Sequence, residues 1–132
     1  MILDTHAWVF YASGGHLATR GLQRIETTRK VGRLQIAAVT LWEVALLVQA
    51  RRIRFERPID EWFRDALARR EVTVAALDAQ VAINAARLMH LLRDPVDCQI
   101  AGTALRMGVP LATRDARLLD NGAACGLEIV EV

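Results

Sequence analysis

Residues 92–118 read LRDPVDCQIAGTALRMGVPLATRDARL, and the order of signals in them decides the fold. Asp94-Pro95 predicts a helix opening: a side-chain acceptor at the N-cap, then proline at the first helical position, where its missing N–H costs nothing. Asp97 falls in the first turn. Ile100, Ala101, Ala104 and Leu105 make one apolar stripe at helical spacing, and Gly108 predicts the stop. Val109-Pro110-Leu111-Ala112 then predicts a short apolar strand ending in Thr113-Arg114-Asp115. Asp97 and Asp115 are therefore carried by neighbouring elements, and an α/β sheet places both near one of its ends.

Upstream, Ile2-Leu3 predicts the end of a first strand, stopped by Asp4-Thr5, and helix signals run from Ala7 to Gly14-Gly15. Residues 16–30 predict an amphipathic helix with Leu17, Leu22 and Ile25 inward. Residues 34–39 predict a second strand, apolar enough to be buried on both faces. Thr40 is expected to open the next helix, with Leu41, Val44, Ala45 and Val48 at helical spacing. Pro58 opens another, whose Ile59, Trp62, Phe63, Ala66 and Leu67 form a broad apolar face. Residues 72–76 predict a third strand. Asp78 then caps a helix with Leu77, Val81, Ala85, Leu88 and Leu92 in one line. A turn at Asn121-Gly122 and a closing strand at 127–130 complete the chain. Trp8, Trp42 and Trp62 are expected mostly in the core by their spacing.

Strands alternating with helices predict an α/β fold of three layers, α/β/α, around a central, mostly parallel sheet of about five strands. With 132 residues and no linker, repeat or low-complexity tract, the chain is expected to be a single domain over 1–132. Its 53% hydrophobic and 24% charged residues exclude a disordered chain. A net charge of +2 is too small to argue for a nucleic-acid partner by itself. Lys30 is the only lysine among the seventeen basic residues. Arginine suits bidentate phosphate contacts, but compositional drift explains that bias more readily. Cys98 and Cys125 have neither disulfide-framework nor zinc-site spacing, which suits a reducing compartment. With no signal peptide and no apolar run near the roughly 20 residues that span a bilayer, the expected location is cytoplasmic, with no membrane partner.

Four acids invite attention, and each has a local explanation. Asp4 can cap the first helix. Thr40-Leu41-Trp42-Glu43 is a literal capping box, in which Glu43 reaches back to the Thr40 N–H. Asp97 can meet a helix dipole, and Asp115 can cap a short helix through Leu118. Taken together they say more. Asp4 and Asp115 fall at or just past strand ends, Glu43 follows the second strand within a helical turn, and Asp97 starts a helix near the same edge. In open α/β sheets the carboxyl ends of the strands form the ligand crevice. Carboxylates about 5–6 Å apart repel by about 3 kcal/mol per pair at an effective dielectric of 20. Six such pairs exceed the roughly 5–15 kcal/mol stability of a whole domain. Such a cluster persists only with raised pKa values or a bound cation, and all-oxygen ligands select Mg²⁺ or Mn²⁺.

The stretch DPVDCQIAGTALRMGVPLATRDARL resembles the C-terminal half of a PIN domain in the form found in VapC toxins, whose pattern there is D-P-x-D-R-x-I-A-x-T-A followed by P-L-x-T-x-D. MILDTHAWVF at the start and TLWEVALLV at 40–48 are similar to the family's other two segments, so the resemblance covers nearly the whole chain. It implies a metal-dependent endoribonuclease, the toxin of a type II toxin–antitoxin pair, that hydrolyses RNA with a metal-activated water. By motif the catalytic acids fall on Asp4, Glu43, Asp97 and Asp115, with Asp4, Asp97 and Asp115 as metal ligands. Glu43 is the member that can instead position the water or a second ion. The resemblance also implies a small antitoxin partner bound on the early helices, and a homodimer. Asp94 reads first as a helix cap and second as a support for the ligands. Thr5, Thr113 and Arg114 adjoin the acids and are candidates for substrate contact. Cys98 departs from the pattern, because the family usually has arginine there.

Two other classes compete. An aspartate phosphoacceptor or phosphatase α/β domain also gathers acids around Mg²⁺ at strand ends. It needs a phosphate-binding lysine, however, and Lys30 ends a surface helix; the D-x-D signature is also missing, since Asp4-Thr5-His6 has histidine there. A non-catalytic interaction module that keeps only the PIN fold need not retain all four acids.

Overall fold

A computed structural model describes residues 1–69 and 71–132. Five strands, β1 (Ile2–Leu3), β2 (Gln35–Ala37), β3 (Thr73–Ala75), β4 (Leu111–Thr113) and β5 (Ile129–Glu131), lie in the order β3-β2-β1-β4-β5. Every pairing is parallel. Ile2 pairs with Gln35 on one side and Leu111 on the other, and Leu3 with Ile36 and Ala112. The chain builds outward from β1 to β3, then crosses back to lay β4 on the other side of β1. The gap between β1 and β4 is thus where the strand order reverses.

Among the described residues seven helices cover the sheet: α1 (Thr5–Ala12), α2 (Thr19–Lys30), α3 (Ala38–Gln49), α4 (Ile59–Arg69), α5 (Ala79–Leu92), α6 (Pro95–Met107) and α7 (Ala116–Asn121). Strand alternation divides the core between the two faces of the sheet. Leu3, Ile36 and Ala112 pack with Trp8, Ile25, Val44 and Trp62 of α1 to α4. Their neighbours Ile2, Ala37 and Leu111 pack instead with Leu88, Leu92, Ile100, Ala101 and Leu118 of α5 to α7. The expected three layers follow from this alternation. Trp8 and Trp62 meet edge to face, with centroids 5.1 Å apart, and Phe55 stacks on Trp62 at 4.0 Å.

The helix over residues 95–107 forms as its sequence predicts. Asp94 caps it through hydrogen bonds from the Val96 and Asp97 N–H groups, Pro95 takes the first position, and Gly108 closes it in the left-handed conformation at φ 63°. This helix lies against α5 with almost no room at Gly102. A Cβ there would stand 2.9 Å from the Ala85 nitrogen and 3.0 Å from the Val81 oxygen, both backbone atoms that cannot rotate aside. Gly102→Ala is therefore expected to lose about 1–3 kcal/mol of stability, despite alanine's better helix propensity. Urea unfolding monitored by circular dichroism checks this.

Several expectations need correction. Helix α3 begins at Ala38, not Thr40, because β2 runs straight into it: Ala37 is extended and the next residue is already helical. Thr40 is thus inside the helix, with a buried hydroxyl that has no hydrogen-bond partner among the described residues, and no capping box forms with Glu43. Trp42 is 57% exposed and outside the core. Helix α3 is apolar on nearly all sides, so spacing alone does not say which face is buried. Leu22 and Leu77 are likewise exposed; Leu77 precedes the Asp78 cap of α5 and so escapes its apolar line.

Candidate active site

The edge formed by the carboxyl ends of β1 and β4 is built first by Asp4. Its N–H extends the sheet ladder by donating to the Ala112 oxygen at 2.9 Å. Its side chain then caps α1, with Oδ1 accepting the Ala7 N–H at 2.6 Å. The Thr113 hydroxyl, at the end of β4, donates to the other oxygen, Oδ2. Asp4 is only 4% exposed, and burial raises its carboxyl pKa against the lowering effect of those hydrogen bonds.

Thr113 also links Asp4 to Asp115, whose N–H donates to the Thr113 oxygen at 3.0 Å. Asp115 caps α7, its Oδ1 accepting the N–H groups of Arg117 and Leu118 at 2.9 and 3.3 Å. Glu43 joins from α3 through Thr5, the residue after Asp4, whose hydroxyl donates to Glu43 Oε2. Thr5 and Thr113 therefore orient two of the acids, and both are buried.

Asp97 differs from the rest. It caps nothing: the free N–H groups at the start of α6 are taken by Asp94. Its Oδ2 is buried without a hydrogen-bond donor. The nearest cation is Arg117, whose Nη2 lies 3.2 Å from that oxygen without hydrogen-bonding alignment. Burial, followed by the charges of Asp94, Asp115 and Glu43, pushes the Asp97 carboxyl up to about 7, with Arg117 opposing. The charges of Asp94, Asp115 and Glu43 thus all reach Asp97, and the threonine bridges tie Asp4 to Asp115 and Glu43.

The acids share one edge of the sheet, but as they lie they do not close around an ion. Among the described residues, no three His, Cys, Asp or Glu side chains are arranged to hold a metal. The physical reason is visible in their hydrogen bonds. Asp4, Glu43 and Asp115 are each turned onto a local donor, and Arg117 stands against Asp97 and Asp115. The chemistry of the set still suits a hard divalent cation. Its donors are all oxygen, two of its carboxyls have raised pKa values, and one buried oxygen has no hydrogen bond.

Other candidates take definite places. Arg114 is exposed and lies over the Phe10 ring, 4.7 Å from its centroid, at the rim beside Thr113. Cys98 is buried in the core against α5, and burial pushes its thiol pKa up. Lys30 is exposed at the end of α2. Its neighbours Val31 and Gly32 line a cavity with Met1 and Pro110, at the amino ends of β1 and β4 and so opposite the acids. A phosphoacceptor site would lack its lysine there. Arg117 carries no local sequence signal for a place in the site; only the fold brings it to Asp97.

A parallel five-stranded sheet with acids at its switch point is the arrangement of a PIN domain, and the family model for that domain matches residues 1–123. The chain belongs to the PIN-domain family. Within it, the chain is of the VapC type: it is 31% identical over 119 residues to Ribonuclease VapC22 of Mycobacterium tuberculosis, covering 89% of this chain and 88% of that protein. Among solved structures, the VapBC2 complex of Rickettsia felis bound to a promoter DNA fragment superposes with a TM-score of 0.73 at 14% identity, covering 99% of this chain and 97% of that one. The DNA-bound VapBC of Salmonella typhimurium gives 0.68 at 20% identity, with 98% and 96% covered. These likenesses establish the fold. No described helix is long and apolar enough to cross a membrane.

Proposed function

We propose that this chain is the endoribonuclease toxin of a type II toxin–antitoxin pair, acting in the cytoplasm on RNA with Mg²⁺ or Mn²⁺. The observation that carries the reading is Asp97: a half-buried carboxyl at the switch point, beside other acids, with a buried oxygen that no donor satisfies. The name of the 31%-identical relative supports the nuclease half of the proposal.

Asp4, Asp97 and Asp115 are the residues that would hold the ion. The chemistry such an ion supplies when bound is activation of water and neutralisation of charge on a phosphodiester. The protein supplies position. Ala7 and Thr113 engage both oxygens of Asp4 and so hold its carboxylate at the switch point. Thr5 holds Oε2 of Glu43, and Oε1 is the atom that orients the attacking water and takes its proton. Arg114 lies exposed at the rim, where the phosphate backbone of RNA must pass, with Thr113 buried beneath it. The exposed Phe10, Trp42 and Leu46 on α1 and α3 offer apolar surface for the antitoxin. The likeness to solved VapBC complexes supports such a partner, and pairing with a second copy belongs to the same reading.

The test is cleavage of a fluorescent single-stranded RNA by the purified chain, freed of any antitoxin. EDTA is expected to stop cleavage and excess Mn²⁺ to restore it. Full activity in EDTA overturns the metal assignment. A stable acyl phosphate formed on Asp4 from a small phosphodonor overturns the nuclease reading in favour of a phosphoacceptor.

A further inference from the structure

The guanidinium of Arg117 touches two of the acids at once. Nη2 lies 3.2 Å from Asp97 Oδ2, and Nε lies 3.7 Å from Asp115 Oδ1. Neither contact is a hydrogen bond in the structure: Asp97 Oδ2 remains without one, and Asp115 Oδ1 is engaged by the backbone N–H groups of Arg117 and Leu118. The guanidinium is thus held by charge rather than by directed bonds. Its side chain is 55% exposed, whereas that of Asp97 is 16% exposed. The arginine can therefore leave by rotating into water, while the carboxylate cannot follow it.

We propose that Arg117 is a tethered counter-ion of the acidic pocket: it occupies Asp97 and Asp115 in the metal-free protein and competes with a divalent cation for them. The inference rests on the reading that these two carboxylates bind the ion. Two acids brought together in a partly dehydrated pocket repel, and a single positive charge beside both lessens that repulsion in the metal-free fold. A divalent ion carries twice that charge and satisfies the oxygens by direct coordination, so it displaces the guanidinium. The release is local to the side chain, because Asp115 caps α7 through the Arg117 backbone N–H, which does not depend on the side chain.

The experiment is calorimetric titration of Mn²⁺ into the full chain without RNA, comparing native protein with Arg117→Gln, Arg117→Ala and Arg117→Lys. All three variants keep the backbone N–H that Asp115 accepts, and circular dichroism checks their folding. Removing the charge is expected to tighten Mn²⁺ binding by about tenfold or more, given a unit charge within contact distance of the ligands. Arg117→Lys is expected to remain nearer the native affinity than either neutral variant. Equal affinities for native protein and both neutral variants overturn the role of Arg117 and leave the metal reading intact. Weaker binding by the neutral variants also overturns it, making Arg117 a support for the ion rather than a competitor. If neither native nor variant protein binds Mn²⁺, the metal reading itself fails and this inference falls with it.

Discussion

Asp97→Asn is expected to lower RNA cleavage by about a hundredfold or more, while making the metal-free protein more stable at pH 8. The loss of activity follows from removing an anionic ligand. The gain in stability follows from the direction of the Asp97 shift. Its carboxyl is raised from 3.8 to about 7, so the folded chain holds this proton more tightly than the unfolded chain does. Stability from this group is therefore fully present below about pH 4 and is lost as pH rises towards 7. Above that window the native protein carries a buried charge that asparagine does not. One unit of pKa shift corresponds to about 1.4 kcal/mol, so the variant is expected to gain about 2–4 kcal/mol at pH 8 and little at pH 4. The lost contact with Arg117 subtracts little, because that arginine is more than half exposed. Urea midpoints in EDTA at several pH values check the sign, and single-turnover RNA cleavage in Mn²⁺ checks the activity. Native-like cleavage by the variant would remove Asp97 from the active site. A variant no more stable at pH 8 than at pH 4, relative to native, would show that the pocket does not strain the carboxylate.

Features legible from sequence were those whose cause is local. Asp94-Pro95 and Gly108 act within one helical turn of their own positions, so cap, start and stop of α6 were readable before folding. Asp4 ended its strand for the same reason. Glu43 shows the opposite case. Its capping-box pattern is chemically sound, but β2 pairs with β3 only as far as Ala37 and the chain turns helical at once. Tertiary pairing overrode a local preference, and that freed Glu43 to accept the Thr5 hydroxyl, a bond 38 residues long in sequence. Trp42 was misplaced because an almost uniformly apolar helix has no periodicity from which to choose a buried side. Arg117 was invisible. Its contact with Asp97 depends on how α6 and α7 meet, which no spacing encodes. The acids could be gathered by their places at strand and helix ends, but the cation among them could not.

Asp4 separates capping from catalysis, because two substitutions remove different things. Asp4→Ala takes away both acceptors, leaving the Ala7 N–H and the Thr113 hydroxyl unpaired in a site that is 4% exposed. The loss of an N-cap costs about 0.5–2 kcal/mol, and each buried group left unsatisfied costs about 1–3 kcal/mol. Relief of the buried charge offsets part of this, so a net loss of about 2–4 kcal/mol is expected. Asp4→Asn keeps one carbonyl oxygen for the Ala7 N–H, and its amide can donate to Thr113 once that hydroxyl turns. Stability is then expected within about 1 kcal/mol of native. If Asp4 is only a cap, the asparagine variant should cut RNA as the native chain does. If it is a ligand, cleavage should fall by about a hundredfold or more in both variants, with Mn²⁺ binding weakened even where the fold is unharmed. Urea unfolding beside Mn²⁺ titration separates the outcomes. A folded Asp4→Asn protein with native activity would reduce the aspartate at the end of β1 to a helix cap, and the ion would have to be held without it.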